Sequence, residues 1–110
     1  MPDVDRELLE AAARAAGHES FRWVVQPHGD RQGLQFPDPM GVWNPLTDDG
    51  DALRLAVKMR MCVEPWGAGA SAVVTVNNQA LVAEPHYGDD PSRATRRAIV
   101  RAAAQIGGLS

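Results

Sequence analysis

A chain of 110 residues has room for one domain with a single modest core, and that core can form without disulfides or a structural metal. The formal net charge of −3, from 11 Lys and Arg against 14 Asp and Glu, argues against a generally cationic binder of nucleic acid or of membrane surfaces and leaves only a local basic patch open. No apolar run approaches the ~20 residues that span a bilayer, and a lone cysteine rules out an internal disulfide.

The first predicted element is a helix over residues 3 to 16. Val4, Leu8, Ala11, Ala12, Ala15 and Ala16 recur at helical spacing, with Arg6, Glu7, Glu10 and Arg14 on the opposite side. Asp3 is expected to cap it, Glu10 and Arg14 to pair at i,i+4, and Gly17 to stop it. Met1-Pro2-Asp3-Val4-Asp5 lacks the basic region and apolar run of a signal peptide, which points to a cytoplasmic protein. Phe21-Arg22-Trp23-Val24-Val25 then alternates as a short strand.

Residues 26 to 46 break every periodicity, holding Pro27, Gly29, Gly33, Pro37, Pro39, Gly41 and Pro45. The single domain, 1 to 110, is therefore expected to carry a long Pro/Gly-rich loop at 26–46, pinned to the body by its own aromatics, Phe36 and Trp43. A second helix starts near Thr47 or Asp48, where the carboxylates of Asp48, Asp49 and Asp51 suit the free N–H groups and the dipole of a first turn. Its core face is Ala52, Leu55, Ala56 and Met59, with Leu53 at the flank and Arg54 and Lys58 in water.

From Met61 to Trp66 the period becomes that of a strand, with Met61 and Val63 on one side and Cys62 and Glu64 on the other. Cys62 reads as a small apolar core residue rather than a reactive one. Val73, Val74, Thr75 and Val76 give the strongest strand signal. Asn77-Asn78 suits a tight turn, and Ala80 to Glu84 returns as the partner, completing a β-meander. Asp90 and Pro91 open the last helix, whose core face is Ala98, Ile99, Ala102, Ala103 and Ile106 and which ends at Gly107-Gly108. Arg93, Arg96, Arg97 and Arg101 form its outer, basic face.

The expected fold is α+β: a small antiparallel sheet, made of the meander plus the N-terminal strand, packed with three helices in an α/β/α sandwich-like arrangement. The run Ala12-Ala13-Arg14-Ala15-Ala16-Gly17, Trp43-Asn44-Pro45-Leu46 before Asp48-Asp49-Gly50-Asp51-Ala52-Leu53, and Asp90-Pro91 opening Arg96-Arg97-Ala98-Ile99-Val100 resemble the phage alpha-beta-alpha sandwich family of small proteins. The resemblance covers most of the chain. It implies a phage or prophage origin, a bacterial host cytoplasm and the sandwich layout, and it brings no catalytic residues with it.

Function is expected to be non-enzymatic, with no cofactor and no metal. Asp48-Asp49-Gly50-Asp51 lacks the ligand alternation and closing Glu of a calcium loop, and capping already explains its carboxylates. His18, His28, His86 and Cys62 stand at no zinc-like spacing, and a Cys62–His86 nucleophilic pair has no local sign of an activated thiol. The leading reading is an accessory domain that works through protein–protein contacts with a phage or host partner, or with itself, through Phe36, Trp43 and the arginine face. The alternative is a nucleic-acid-binding module using Arg93, Arg96, Arg97 and Arg101. The order helix, three strands, helix from Thr47 is similar to that of double-stranded-RNA-binding domains, but Gly88-Asp89-Asp90-Pro91 replaces the lysine-rich start of their final helix.

Overall fold

Pro2 opens the first helix, α1 (Pro2–Ala15), where its missing N–H costs nothing. Asp3 therefore lies inside the first turn and is not the cap that the sequence suggested. This computed structural model describes residues 2–25, 32–37, 42–65, 70–76, 79–85 and 91–108. The expected turn at Asn77-Asn78 and cap at Asp90, together with His28, Trp66, His86, Tyr87, Gly88 and Asp89, lie outside them. The elements that follow are β1 (Arg22–Val25), β2 (Gln32–Gln35), α2 (Asp49–Lys58), β3 (Cys62–Pro65), β4 (Ala70–Val76), β5 (Gln79–Pro85) and α3 (Pro91–Ile106).

The chain is α+β, with three helices and antiparallel sheets among the described residues, as its patterning predicted. The expected meander is present as β3-β4-β5, with Val63 opposite Val74 and Val74 opposite Val82. The N-terminal strand does not join it. Instead β1 pairs with β2 in a separate two-stranded antiparallel sheet, Trp23 opposite Leu34. The stretch read as an aperiodic loop thus contains a strand. Gln32-Gly33-Leu34-Gln35 is too short and too poor in β-branched residues to show a period, and its place is set by burial of Gly33 and Leu34.

Two helix ends follow the same hydrogen-bond pattern with different residues. After α1, His18 N–H reaches the Ala13 carbonyl at 3.0 Å and Gly17 N–H the Arg14 carbonyl at 3.0 Å, with Gly17 at φ +98°. After α2, Met61 N–H reaches the Ala56 carbonyl at 2.9 Å and Arg60 N–H the Val57 carbonyl at 3.1 Å. These are Schellman closures, and in the second an arginine at φ 56° occupies the left-handed position that glycine fills most easily.

The core joins Leu9, Ala12 and Ala13 of α1 to Leu34 of β2, Ala52, Leu55 and Ala56 of α2, Val74 of β4, and Ala98, Ile99, Val100, Ala102 and Ala103 of α3. Helix α3 packs on α1, on α2 and on the meander, so Ala94, Val100 and Ala104 are buried as well as the single stripe its periodicity suggested. Its many alanines permit such close packing. A Cβ on Gly107 would collide with the Ala11 carbonyl, which shows how near α1 comes to the end of α3.

Four further expectations change. Ile106 is 45% exposed, because it is the last residue of α3. Cys62 is exposed, because the alternation that turns Met61 and Val63 inward turns Cys62 and Glu64 out. Glu10 meets Arg6 at 3.1 Å, a turn earlier, rather than Arg14, and the same Arg6 guanidinium lies 5.7 Å over the Trp23 ring. Leu9, absent from the expected stripe of α1, is completely buried.

Candidate functional sites

The segment Trp43-Asn44-Pro45-Leu46 is a structural node. Trp43 continues the β1-β2 sheet by one bridge, its N–H donating to the Leu34 carbonyl at 2.8 Å and its own carbonyl accepting from Leu34 N–H at 3.0 Å. Gly33 makes this approach feasible, since a Cβ there would overlap the Trp43 carbonyl oxygen. The buried Asn44 then ties three segments. Its Nδ2 donates to the Gln32 carbonyl at 2.6 Å, its Oδ1 accepts from Leu46 N–H at 3.0 Å, and its N–H donates to Asp51 Oδ2 at 2.9 Å.

Asp48 is the α2 cap, accepting from Asp51 N–H at 2.8 Å. Asp51 does more than suit the dipole. It is buried, and its second oxygen accepts from Arg54 Nη2 at 2.6 Å. The acidic turn is therefore a lock between β2 and α2, and among the described residues no group of His, Cys, Asp and Glu could hold a metal ion.

Phe36 and Trp43, expected to pin the 26–46 segment, do come together, with ring centroids 5.4 Å apart and planes tilted by 49°. His18 stacks flat on Phe36 at 3.8 Å, and Phe21 meets Phe36 edge-on at 6.5 Å. The His18 contribution had no sequence signal, because a histidine after a helix-ending glycine is ordinary. Burial, and then the nearby Lys58 ammonium, lower its pKa below 6.5, so the ring is held in its neutral form. Beside this cluster opens a cleft of about 660 Å³ whose other wall is Asp51, Arg54, Leu55 and Lys58.

The arginines of α3 do not form one free ridge. Arg96, with 17% of its side chain exposed, turns toward α2, where Nε donates to the Leu46 carbonyl at 2.8 Å and Nη1 to Asp49 Oδ1 at 2.7 Å. Arg97 turns toward α1 and meets Asp5 at 3.3 Å. Arg93 and Arg101 also have partners within the chain. Helical spacing placed the four on one surface, and the neighbouring helices then divided them.

A surface that the sequence undersold lies on α2. Leu53 is 65% exposed and Val57 69%. Spaced i,i+4, they form a second apolar stripe beside the buried stripe of Ala52, Leu55, Ala56 and Met59. Next to them runs an open groove of about 550 Å³ between α2, β3 and α3, lined by Ala52, Leu53, Ala56, Val63 and Ile99, with Asp49 and Arg96 also among its lining. The signal was present in the sequence, since Leu53 and Val57 are too far round the helix to share the face of Leu55.

No protein-family model, curated protein or solved structure matches the chain. Among the described residues no helix is long and apolar enough to cross a membrane.

Proposed function

We propose that this chain is a non-enzymatic interaction domain, of phage or prophage origin on the resemblance of its motifs, and that its working surface is the outward stripe of α2 with the groove beside it. The observation that carries the reading is the exposure of Leu53 and Val57, 65% and 69%, against a groove whose lining is largely apolar. Scattered apolar side chains are normal on a surface, whereas two adjoining ones continuous with an apolar groove mark a surface that a partner covers.

The aromatic cluster of His18, Phe36 and Trp43 serves the fold first, because its rings pack on one another and tie Phe36 and Trp43 to the end of α1. The nucleic-acid reading draws little support from the arginines, since Arg96 and Arg97 already meet Asp49 and Asp5. A photo-crosslinking residue placed at position 53 in living cells tests the proposal, with the same residue at the exposed position 19 as reference. A discrete adduct from position 53 and not from 19 is expected. Equal, diffuse labelling at both positions refutes an interaction surface on α2.

A further inference from the structure

We infer that the occupant of this surface is a second copy of the chain, docked through α2 in antiparallel fashion about a two-fold axis. The inference rests on the interaction reading above and adds the identity of the partner. The surface is complementary to its own image. Helix α2 carries Asp49 and Asp51 in its first turn, Arg54 in its middle and Lys58 in its last turn, with exposed Arg60 just beyond.

An isologous interface requires that a patch fit its own image. If the axis passes near Leu55, residue numbers on the two copies pair in reverse. Leu53 of one copy then lies against Val57 of the other, and both exposed side chains are covered at once. Asp49 comes beside Arg60 of the second copy at each end, and the two helix dipoles run in opposite directions. Parallel docking would instead set Asp49 against Asp49 and Arg60 against Arg60.

The flank of the stripe is compatible with this arrangement. Arg54 is met within its own chain by Asp51 at 2.6 Å and Asp48 at 4.0 Å. Lys58 lies on the cleft side of α2, near His18. Asp49 keeps 78% of its side chain exposed despite its contact with Arg96, so it retains access to a second cation. Gly50, on the outward side of α2, bears no side chain to hold the helices apart.

Two apolar side chains per copy and a shallow groove make a patch well below the ~1,200 Å² of a stable complex, so the dimer is concentration-dependent and exchanges quickly. Sedimentation of the whole chain from about 10 μM to about 1 mM is the first measurement, and the weight-average mass is expected to climb from monomer toward dimer over that range. Arg60→Gly removes a cation and also the left-handed strain, so this variant keeps its fold and associates several-fold more weakly.

The decisive arm mixes two variants. Asp49→Lys alone and Arg60→Glu alone each place like charges at both ends of the interface, and each is expected to stay monomeric. Mixed, they restore Lys–Glu at one end and Asp–Arg at the other, and a one-to-one heterodimer is expected. A wild-type chain that remains monomeric at the highest concentration overturns the proposal. So does a mixture that stays monomeric although both variants fold. A monomeric wild type that still yields an adduct of foreign mass from position 53 overturns self-association alone, whereas no adduct of any kind overturns the interaction reading with it.

Discussion

Replacing Asn44 by alanine tests whether the Trp43-Asn44-Pro45-Leu46 segment is the node that fastens α2 to the β1-β2 sheet. The substitution removes the Nδ2 donation to the Gln32 carbonyl at 2.6 Å and the Oδ1 acceptance from Leu46 N–H at 3.0 Å. Each lost bond is worth about 1 kcal/mol net, and leaving a buried partner unsatisfied adds about 1–3 kcal/mol. Asn44 is only 6% exposed, so water enters poorly to replace it. A loss of about 2–4 kcal/mol is expected, a large share of the roughly 5–15 kcal/mol that holds a domain together.

Urea titration followed by far-ultraviolet circular dichroism reads this directly. With a slope of about 1–2 kcal/mol per molar urea, the midpoint should fall by about 1–4 M. Asn44→Asp should not rescue it, because a carboxylate keeps the Leu46 bond but confronts the Gln32 carbonyl and stands beside Asp51. A change below about 0.5 kcal/mol for Asn44→Ala, the size of an ordinary surface substitution, would refute the node.

Three further outcomes can be checked together. Gly107→Ala and Gly33→Ala each drive a methyl onto a backbone carbonyl, that of Ala11 or Trp43, and each should cost at least about 1–3 kcal/mol and lower the melting temperature by several degrees. Arg60→Gly relieves the φ 56° residue and should stabilise the monomer by about 0.5–1 kcal/mol, read as a higher urea midpoint in dilute solution. His18 binds a proton near 6.5 when unfolded and only at lower pH when folded. Its contribution is therefore intact above 6.5 and lost as pH falls through that value toward the folded pKa. Between about pH 7.5 and about pH 5.5 the wild type should lose more stability than His18→Phe, which keeps a ring on Phe36 and has nothing to titrate. Parallel pH profiles for the two proteins would contradict the assignment.

The helices were legible because each carries its own signal. Gly17 stops α1, Asp48 caps α2, and Pro91 opens α3 at the first helical position. The meander was legible because β-branched residues concentrate at Val73 to Val76. By contrast, β2 carries a glycine and two glutamines, so only its partner β1 and the bridge from Trp43 define it. The pairing of β1 with β2 rather than with the meander is a tertiary choice that no local period records. Phe36 and Trp43 were identifiable as anchors because large rings in a Pro/Gly-rich stretch must pack somewhere.

The arginine face shows the opposite limit. Spacing put Arg93, Arg96, Arg97 and Arg101 on the outer side of α3 correctly for an isolated helix, but α3 turned out to be flanked by α1 and α2, whose Asp5 and Asp49 take two of those charges. Asp51 was placed correctly in the first turn of α2, but its burial was missed for a similar reason. Its burial depends on Asn44 folding back over the first turn of α2. The Leu53 and Val57 stripe was readable in the sequence as a second apolar face, and its exposure became evident only once α3 was seen to pack on α2.

Whether that stripe is covered on self-association can be measured directly. A chain bearing Val57→Cys and Cys62→Ser is treated with excess maleimide at about 10 μM and at about 1 mM protein, with Glu19→Cys and Cys62→Ser as the exposed reference. The labelling rate constant at position 57 is expected to fall several-fold at the higher concentration, in step with the dimerised fraction, while position 19 reacts alike in both. Equal labelling of position 57 at the two concentrations would contradict self-association.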